Sequence, residues 1–145
     1  METKGAAARI RGSALAPDLR GTVRFLSCFD CVRVVAEIYG LPESDTGFFA
    51  LHIHENGSCR GDGFPNTGGH FNPVQRPHPD HAGDLPPLLR KRNGSAWMAV
   101  TTDRFSVGDV VGRSVVIHRG RDDFKTQPSG DAGEKIGCGM IVPMV

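Results

Sequence analysis

The sequence predicts an all-β fold, seven or eight short strands in an antiparallel sandwich or Greek-key barrel, over a single domain spanning residues 1–145. Three observations carry this. Several short runs alternate apolar and polar side chains, as a strand with one buried face requires. No stretch of useful length shows the 3.6-residue period of an amphipathic helix. The chain of 145 residues has 19 glycines, 10 prolines and a hydrophobic fraction of 39%, which suits many turns and short strands better than long helices.

Met1 to Arg20 is polar and is expected to be partly frayed, with a short strand near Ala8 to Gly12. Gly21 to Ser27 sets Val23 and Phe25 against Thr22, Arg24 and Leu26. Cys31 to Tyr39 places Val32, Val34, Ala36 and Ile38 on one face, and a tight turn through Phe29-Asp30 makes these two strands a hairpin. Gly40-Leu41-Pro42 ends the second. Gly47 to His54 is a strand whose Phe49, Leu51 and Ile53 point into the core. Ser95 to Thr101 follows the Asn93-Gly94 turn, and Phe105 to Val111 is mixed. Ser114 to His118 and Ile136 to Val142 are the last strands. No internal repeat is present.

Residues 55 to 94 conflict with a small β fold. These 40 residues have no strand pattern and carry seven glycines and six prolines. Unstructured loops beyond about 12–15 residues are uncommon in compact domains unless they are functional or disordered. Five of the six histidines fall between His52 and Asp84, and only His118 lies outside. His52 and His54, two apart on a strand, share a face and can grip one ion. His70, His78, His81 and Asp84 offer three nitrogens and one oxygen, a closed set that suits structural zinc. Metal and cross-link would then supply the order that secondary structure does not.

The balanced charge of +1 implies no polyanionic partner, so nucleic acid is not expected. No run approaches the 18 apolar residues of a membrane span. Met1 to Ala16 lacks the apolar core of a signal peptide, so a cytoplasmic location is expected, with an exported mature form left open. Of four cysteines, Cys59 lies in the long loop and Cys138 in the last apolar run, where a bridge would tie loop to barrel. Such a bridge is worth roughly 4 kcal/mol in the chain-entropy model. Cys28 and Cys31 flank the first hairpin turn. A lone C-x-x-C can mark a redox or zinc half-site, but free or turn-flanking thiols, not needed for folding, are the expectation here. Asn56-Gly57-Ser58 and Asn93-Gly94-Ser95 match the glycosylation sequon and read as turns.

His52-Ile53-His54-Glu55, Gly69-His70-Phe71-Asn72-Pro73, His81-Ala82-Gly83-Asp84-Leu85, Val116-Ile117-His118 and Gly137-Cys138-Gly139 together resemble the copper–zinc superoxide dismutases. The match runs in family order from about Gly21 to the C-terminus, and its motifs use every histidine except His78, which stands between two of them. The resemblance implies an eight-stranded Greek-key barrel with a zinc loop and an electrostatic loop. It implies copper on His52, His54, His70 and His118, and zinc on His70, His78, His81 and Asp84, with His70 shared as an imidazolate. It further implies a Cys59–Cys138 disulfide, and Asp122 as the carboxylate that hydrogen-bonds imidazoles of both sites. The implied activity is dismutation of superoxide to dioxygen and hydrogen peroxide, with copper alternately reduced and reoxidised and His70 taking and returning a proton. A homodimer is the candidate assembly.

The chain departs from the family pattern in three places. Lys135 stands where the family has its active-site arginine, three residues before Cys138. It is expected to attract and align the anion, less well than arginine, because lysine is a flexible point charge rather than a planar fork. The zinc loop is compressed, with only Pro79-Asp80 between His78 and His81, and the electrostatic loop, Arg119 to Glu134, is short. These features look more like bacterial members than animal ones. Two other classes compete. One is a copper- and zinc-binding protein of this fold with little turnover. The other is a zinc hydrolase, for which Glu55 would be the general base.

Overall fold

The computed structural model describes residues 5–144. In chain order the strands are β1 (Gly5–Gly12), β2 (Arg20–Cys28), β3 (Cys31–Tyr39), β4 (Phe48–Phe49), β5 (Leu51–His54), β6 (Leu88–Leu89), β7 (Ala96–Thr102), β8 (Ser114–His118) and β9 (Lys135–Pro143). One helical turn, α1 (Val107–Val110), separates β7 from β8. Seven strands form one antiparallel sheet in the order β5-β8-β9-β1-β2-β3-β7, and β4 pairs with β6. Because β6 lies beside β7 and β4 runs into β5 through Ala50 alone, the curled sheet closes on itself. Counted with β4 and β5 as one broken strand, the closed sheet has eight strands. Closure matters physically because it leaves few unpaired strand edges.

The period-two pattern fills the interior. Val23 and Phe25 of β2, Val32, Val34, Ala36 and Ile38 of β3, Leu51 and Ile53 of β5, and Ile141 of β9 belong to one buried cluster. Phe25 meets Phe105 edge-on at 6.2 Å. Each such side chain removed from water contributes about 1.5–3 kcal/mol, so this cluster is the main source of stability.

The structure differs from the sequence reading in four places. The described part of the N-terminal segment is not frayed: β1 lies between β2 and β9, with Ala6, Ala8 and Ile10 buried. Two of those inward positions are alanines, whose weak apolar signal hides a strand face. The expected fraying of residues 1–4 lies outside the described residues. The mixed stretch at Phe105 holds α1, where the Ser106 amide donates to the Asp109 carboxylate at 2.9 Å. The Gly47 to His54 strand breaks at Ala50, whose amide donates to Gly120 O and whose carbonyl accepts from the His118 amide, both at 2.9 Å. Finally, Cys28 and Cys31 are joined as a disulfide rather than free. The two-residue turn sets them directly opposite each other, with Cα atoms 5.0 Å apart, within bridging distance.

The long loop is less structureless than its composition suggested. Leu88-Leu89 forms β6, and upstream of it the loop is stitched along the free edge of β5. Glu55 N donates to Gly69 O (2.9 Å), Phe71 N to Ile53 O (2.8 Å), Ile53 N to Gly83 O (2.8 Å) and Leu85 N to Leu51 O (3.3 Å). The loop thus satisfies the backbone groups of an edge strand, and its own. Gly83 permits the approach: a Cβ there would lie 2.4 Å from Ile53 O. The Cys59–Cys138 disulfide (S–S 2.03 Å) ties the same loop to β9, as the resemblance implied. Arg11 reinforces the tie, donating to Cys59 O while its guanidinium lies over the Phe64 ring.

Candidate metal centre

On β5 the side chains of Leu51 and Ile53 enter the barrel, so those of His52 and His54 leave it on the other face. The stitched loop covers that face, and both imidazoles are buried with 3% exposure or less. β8 pairs antiparallel with β5 and brings His118 alongside. The β5-edge bridges at His52–Asp84 and His54–His70 set two loop ligands against the same strand. All six histidines, Asp84 and Asp122 therefore meet in one buried volume between barrel and loop.

Hydrogen-bond partners decide which nitrogen of each ring carries its proton. His54 Nδ1 lies 2.7 Å from Gly68 O and His118 Nδ1 lies 3.0 Å from Gly133 O, so both Nδ1–H groups donate to carbonyls. Their Nε2 atoms are then acceptors, and they face each other at 3.3 Å. His52 Nδ1 and His70 Nε2 are buried with no hydrogen-bond partner. These four rings each offer a nitrogen within 4.8 Å of the others. Lone pairs facing at that range repel unless a cation sits among them, and an all-imidazole set suits copper.

The second set repeats the logic with an oxygen. His70 Nδ1 lies 2.8 Å from Asp84 Oδ1 and 3.1 Å from His81 Nδ1. His78 Nδ1 and His81 Nδ1 lie 3.1 Å and 3.2 Å from Asp84 Oδ2. A zinc ion with tetrahedral ligands at 2.0–2.1 Å requires ligand atoms about 3.3 Å apart, close to these separations. Of the His78 ring, Nε2–H donates to Asp122 Oδ1 (2.7 Å), which leaves Nδ1 an acceptor facing a carboxylate. His52 also falls within 4.8 Å of this set. Its Nε2–H, however, is spent on Asp122 Oδ2 at 2.8 Å, and its Nδ1 belongs to the first set. His81 Nδ1, at 3.1 Å from His70 Nδ1 and 3.2 Å from Asp84 Oδ2, is free to take that place.

Asp122 thus holds one imidazole of each set, one on each oxygen, and a third bond from Phe124 N (2.8 Å) fixes the carboxylate. Such a partner sets tautomer and ring orientation. Several supporting residues escaped the sequence reading. Gln127 clamps the backbone of His78 from both sides, accepting from its N–H (2.8 Å) and donating to its C=O (2.7 Å). Arg104 donates to the carbonyls of Pro79 and His81, each at 3.1 Å. Gly130, at φ +74°, leaves room where a Cβ would lie 2.0 Å from Asp122 Oδ1 and 2.6 Å from His78 Nε2. Lys135 pairs with His118 at a bulge between β8 and β9, and its Nζ donates to the buried Thr67 hydroxyl (2.7 Å) and to Phe64 O (3.4 Å). These contacts hold the lysine that the sequence alone presented as a loose point charge. Backbone carbonyls and one-off polar side chains leave no spacing signal, so nothing in the sequence marked them.

Burial keeps His52, His54, His81 and His118 neutral and ready to bind a cation. It lowers His52 and His81, and it takes His54 to about 2 and His118 to about 3 from an ordinary 6.5. Burial pushes the two carboxylates the other way, but imidazole hydrogen bonds outweigh it: that of His70 lowers Asp84, and those of His52 and His78 lower Asp122. Burial also lowers Lys135. The sign for stability follows from proton counts. Below pH 6.5 the unfolded chain protonates His54 and His118 and the metal-free native state does not, so stability falls with pH from about 6.5 toward 3. Each of the two contributes a slope of about 1.4 kcal/mol per pH unit. Urea unfolding of metal-free protein at pH 7.5 and pH 5 is expected to show a markedly lower midpoint at pH 5. An unchanged midpoint would contradict the burial of these rings.

Comparison with known proteins agrees with the geometry. The family model described as copper/zinc superoxide dismutase matches residues 19–141. A copper–zinc superoxide dismutase of Aquifex aeolicus is 36% identical over 116 residues, covering 70% of this chain and 67% of the relative. One of Deinococcus radiodurans is 34% identical over 141 residues, covering 83% and 76%. The extracellular copper–zinc superoxide dismutase of Rattus norvegicus is 32% identical over 152 residues, covering 94% and 62%. The matches thus span 62% to 76% of these relatives' lengths. With its family model, its barrel and its paired histidine sets in agreement, this chain belongs to the copper/zinc superoxide dismutase family.

Proposed function

We propose that the chain dismutates superoxide to dioxygen and hydrogen peroxide, with copper held by His52, His54, His70 and His118 and zinc by His70, His78, His81 and Asp84. The observation that carries this is His70, whose Nε2 faces the first set while its Nδ1 faces the second. Bound copper would supply one-electron oxidation and reduction of superoxide, and bound zinc a fixed charge that orders the loop. The protein's own groups do the rest. Gly68 O, Gly133 O and Asp122 orient the rings through the nitrogens that do not face the metals. His70 is the proton carrier, taking and returning a proton at Nε2. Lys135 draws the anion toward His118, and Thr67 holds its ammonium in place. The alternative, a copper- and zinc-binding protein without turnover, has no observation in its favour that the dismutase reading lacks. A zinc hydrolase would need a ligand position left open, and His70, His78, His81 and Asp84 would together close the zinc position.

The homodimer has a supporting surface. Phe48 and Leu89 face each other across β4 and β6, and Trp97 lies on neighbouring β7; their exposures are 41%, 56% and 61%. Apolar side chains grouped on one outer face suit self-association. Sedimentation should show a dimer that Trp97→Lys converts to monomer; a monomer before substitution would remove the proposal.

Dismutation itself is tested by stopped-flow decay of superoxide on the copper- and zinc-loaded protein across a salt series. The decay should be catalytic and slow with ionic strength, since it depends on attraction of an anion by a cation. Lys135→Glu should cut the rate by roughly tenfold or more and flatten or invert the salt slope. Lys135→Arg should keep or raise the rate. No catalysis by fully loaded protein would favour the binding-protein alternative, and a Lys135→Glu variant with unchanged rate and slope would remove Lys135 from substrate capture.

A further inference from the structure

The Cys28–Cys31 disulfide takes no part in the metal centre, and the hairpin that carries it has other sources of register. It lies at the tip of the β2–β3 hairpin, whose nine pairs run from Arg20–Tyr39 to Cys28–Cys31. The register is already fixed by Val23, Phe25, Val32 and Val34 in the core. A cross-link between residues already paired, closing a loop of separation 3, restrains the unfolded chain far less than Cys59–Cys138 at separation 79. The two bridges also differ in access. Cys138 is fully buried and Cys59 packs against it with Phe64 and Val116. Cys28 is exposed, Cys31 is half-buried, and the neighbouring Phe29 is 94% exposed.

We propose that Cys28–Cys31 is a thiol–disulfide exchange site, reduced by dithiols and reoxidised by disulfides without opening Cys59–Cys138 or unfolding the barrel. A reductant thiolate attacks the exposed Cys28 sulfur. A new S–S bond forms to Cys28, the Cys28–Cys31 bond breaks, and its electron pair leaves on Cys31, which takes a proton from water. The reductant's second thiol then attacks its own sulfur in the mixed disulfide and releases Cys28. The protein disulfide gains two electrons and the dithiol becomes a disulfide.

The cleft beside the bridge selects the reductant. Its volume is about 450 Å³, and Asp30, Asp103 and Asp109 line it against one cation, Arg104. Arg104 is engaged elsewhere, with the Pro79 and His81 carbonyls and with Asp80 at 3.4 Å. Three carboxylates against one guanidinium leave the lining of the cleft net negative. A dithiol carrying no other charge is admitted more readily than a thiol that brings its own carboxylates, and the difference shrinks as salt screens it. The exposed Phe29 ring beside the bridge gives an apolar contact to a dithiol carried on a protein.

The test uses the intact protein in graded dithiothreitol, with free thiols trapped by alkylation and mapped by mass. Cys28 and Cys31 should label together at a dithiothreitol concentration roughly tenfold or more below that needed for Cys59 and Cys138, with the far-UV spectrum unchanged, and oxidised glutathione should restore the bridge once the dithiothreitol is removed. At low salt the initial rate with dithiothreitol should exceed that with glutathione at equal thiolate, and a double variant, Asp30→Asn with Asp103→Asn, should narrow that gap. Cys31→Ser should leave Cys28 able to form a mixed disulfide with oxidised glutathione. Opening of both bridges at one concentration, labelling of Cys28 and Cys31 without reductant and without reclosure, or an unreactive Cys28 in Cys31→Ser would each overturn the proposal.

Discussion

Unprotonated nitrogens held face to face in a buried volume constrain everything else in this molecule. His54 and His118 present acceptors to each other at 3.3 Å, and Asp84 faces His78 and His81 at 3.1 Å and 3.2 Å. The facing acceptors of His54 and His118, and of His78 and Asp84, are unfavourable alone and become favourable when a cation lies between them. The protein keeps the arrangement by fixing the outer nitrogens. Two rings donate to backbone carbonyls, and two donate to the single carboxylate of Asp122. The barrel supplies the rigid side of this vice through β5 and β8, and the loop supplies the other side.

That division explains why a loop so rich in glycine and proline can carry precise chemistry. Its backbone is bonded along the β5 edge, its Cys59 is bridged to β9, and Gln127, Arg104 and Arg11 hold its carbonyls from three directions. Apolar packing adds to this, with Phe71, Ala82 and Leu85 in the main core and Phe64 against Val116 and Cys138. Metal binding, the disulfide and the hydrogen bonds from outside the loop replace the secondary structure it lacks.

How far the sequence could be read follows from what kinds of signal it carries. Strands with branched or aromatic inward residues, such as Val32 to Ile38, were legible because their period is unambiguous. β1 was harder because Ala6 and Ala8 are small, and β6 was missed because two residues cannot display a period. The metal centre was legible because imidazoles are rare and clustered. The choice of nitrogen was not, since it depends on Gly68 O and Gly133 O, and every residue has a carbonyl. Gly130 was invisible as a constraint because its need for space arises only when Asp122 and His78 are brought together. Cys28 and Cys31 were misjudged because a C-x-x-C spacing does not reveal that a two-residue turn sets the pair face to face.

His70 joins the two sets, through Nε2 on one side and Nδ1 on the other. The most direct measurement is metal binding by native mass spectrometry and calorimetry, with metal-free protein titrated by zinc and then by copper. The unaltered chain should take up one ion of each. His81→Ala should weaken the zinc position and His118→Ala the copper position, whereas His70→Ala should weaken both. If His70→Ala weakens one position and leaves the other at full affinity, the two sets do not share this residue and the central claim fails.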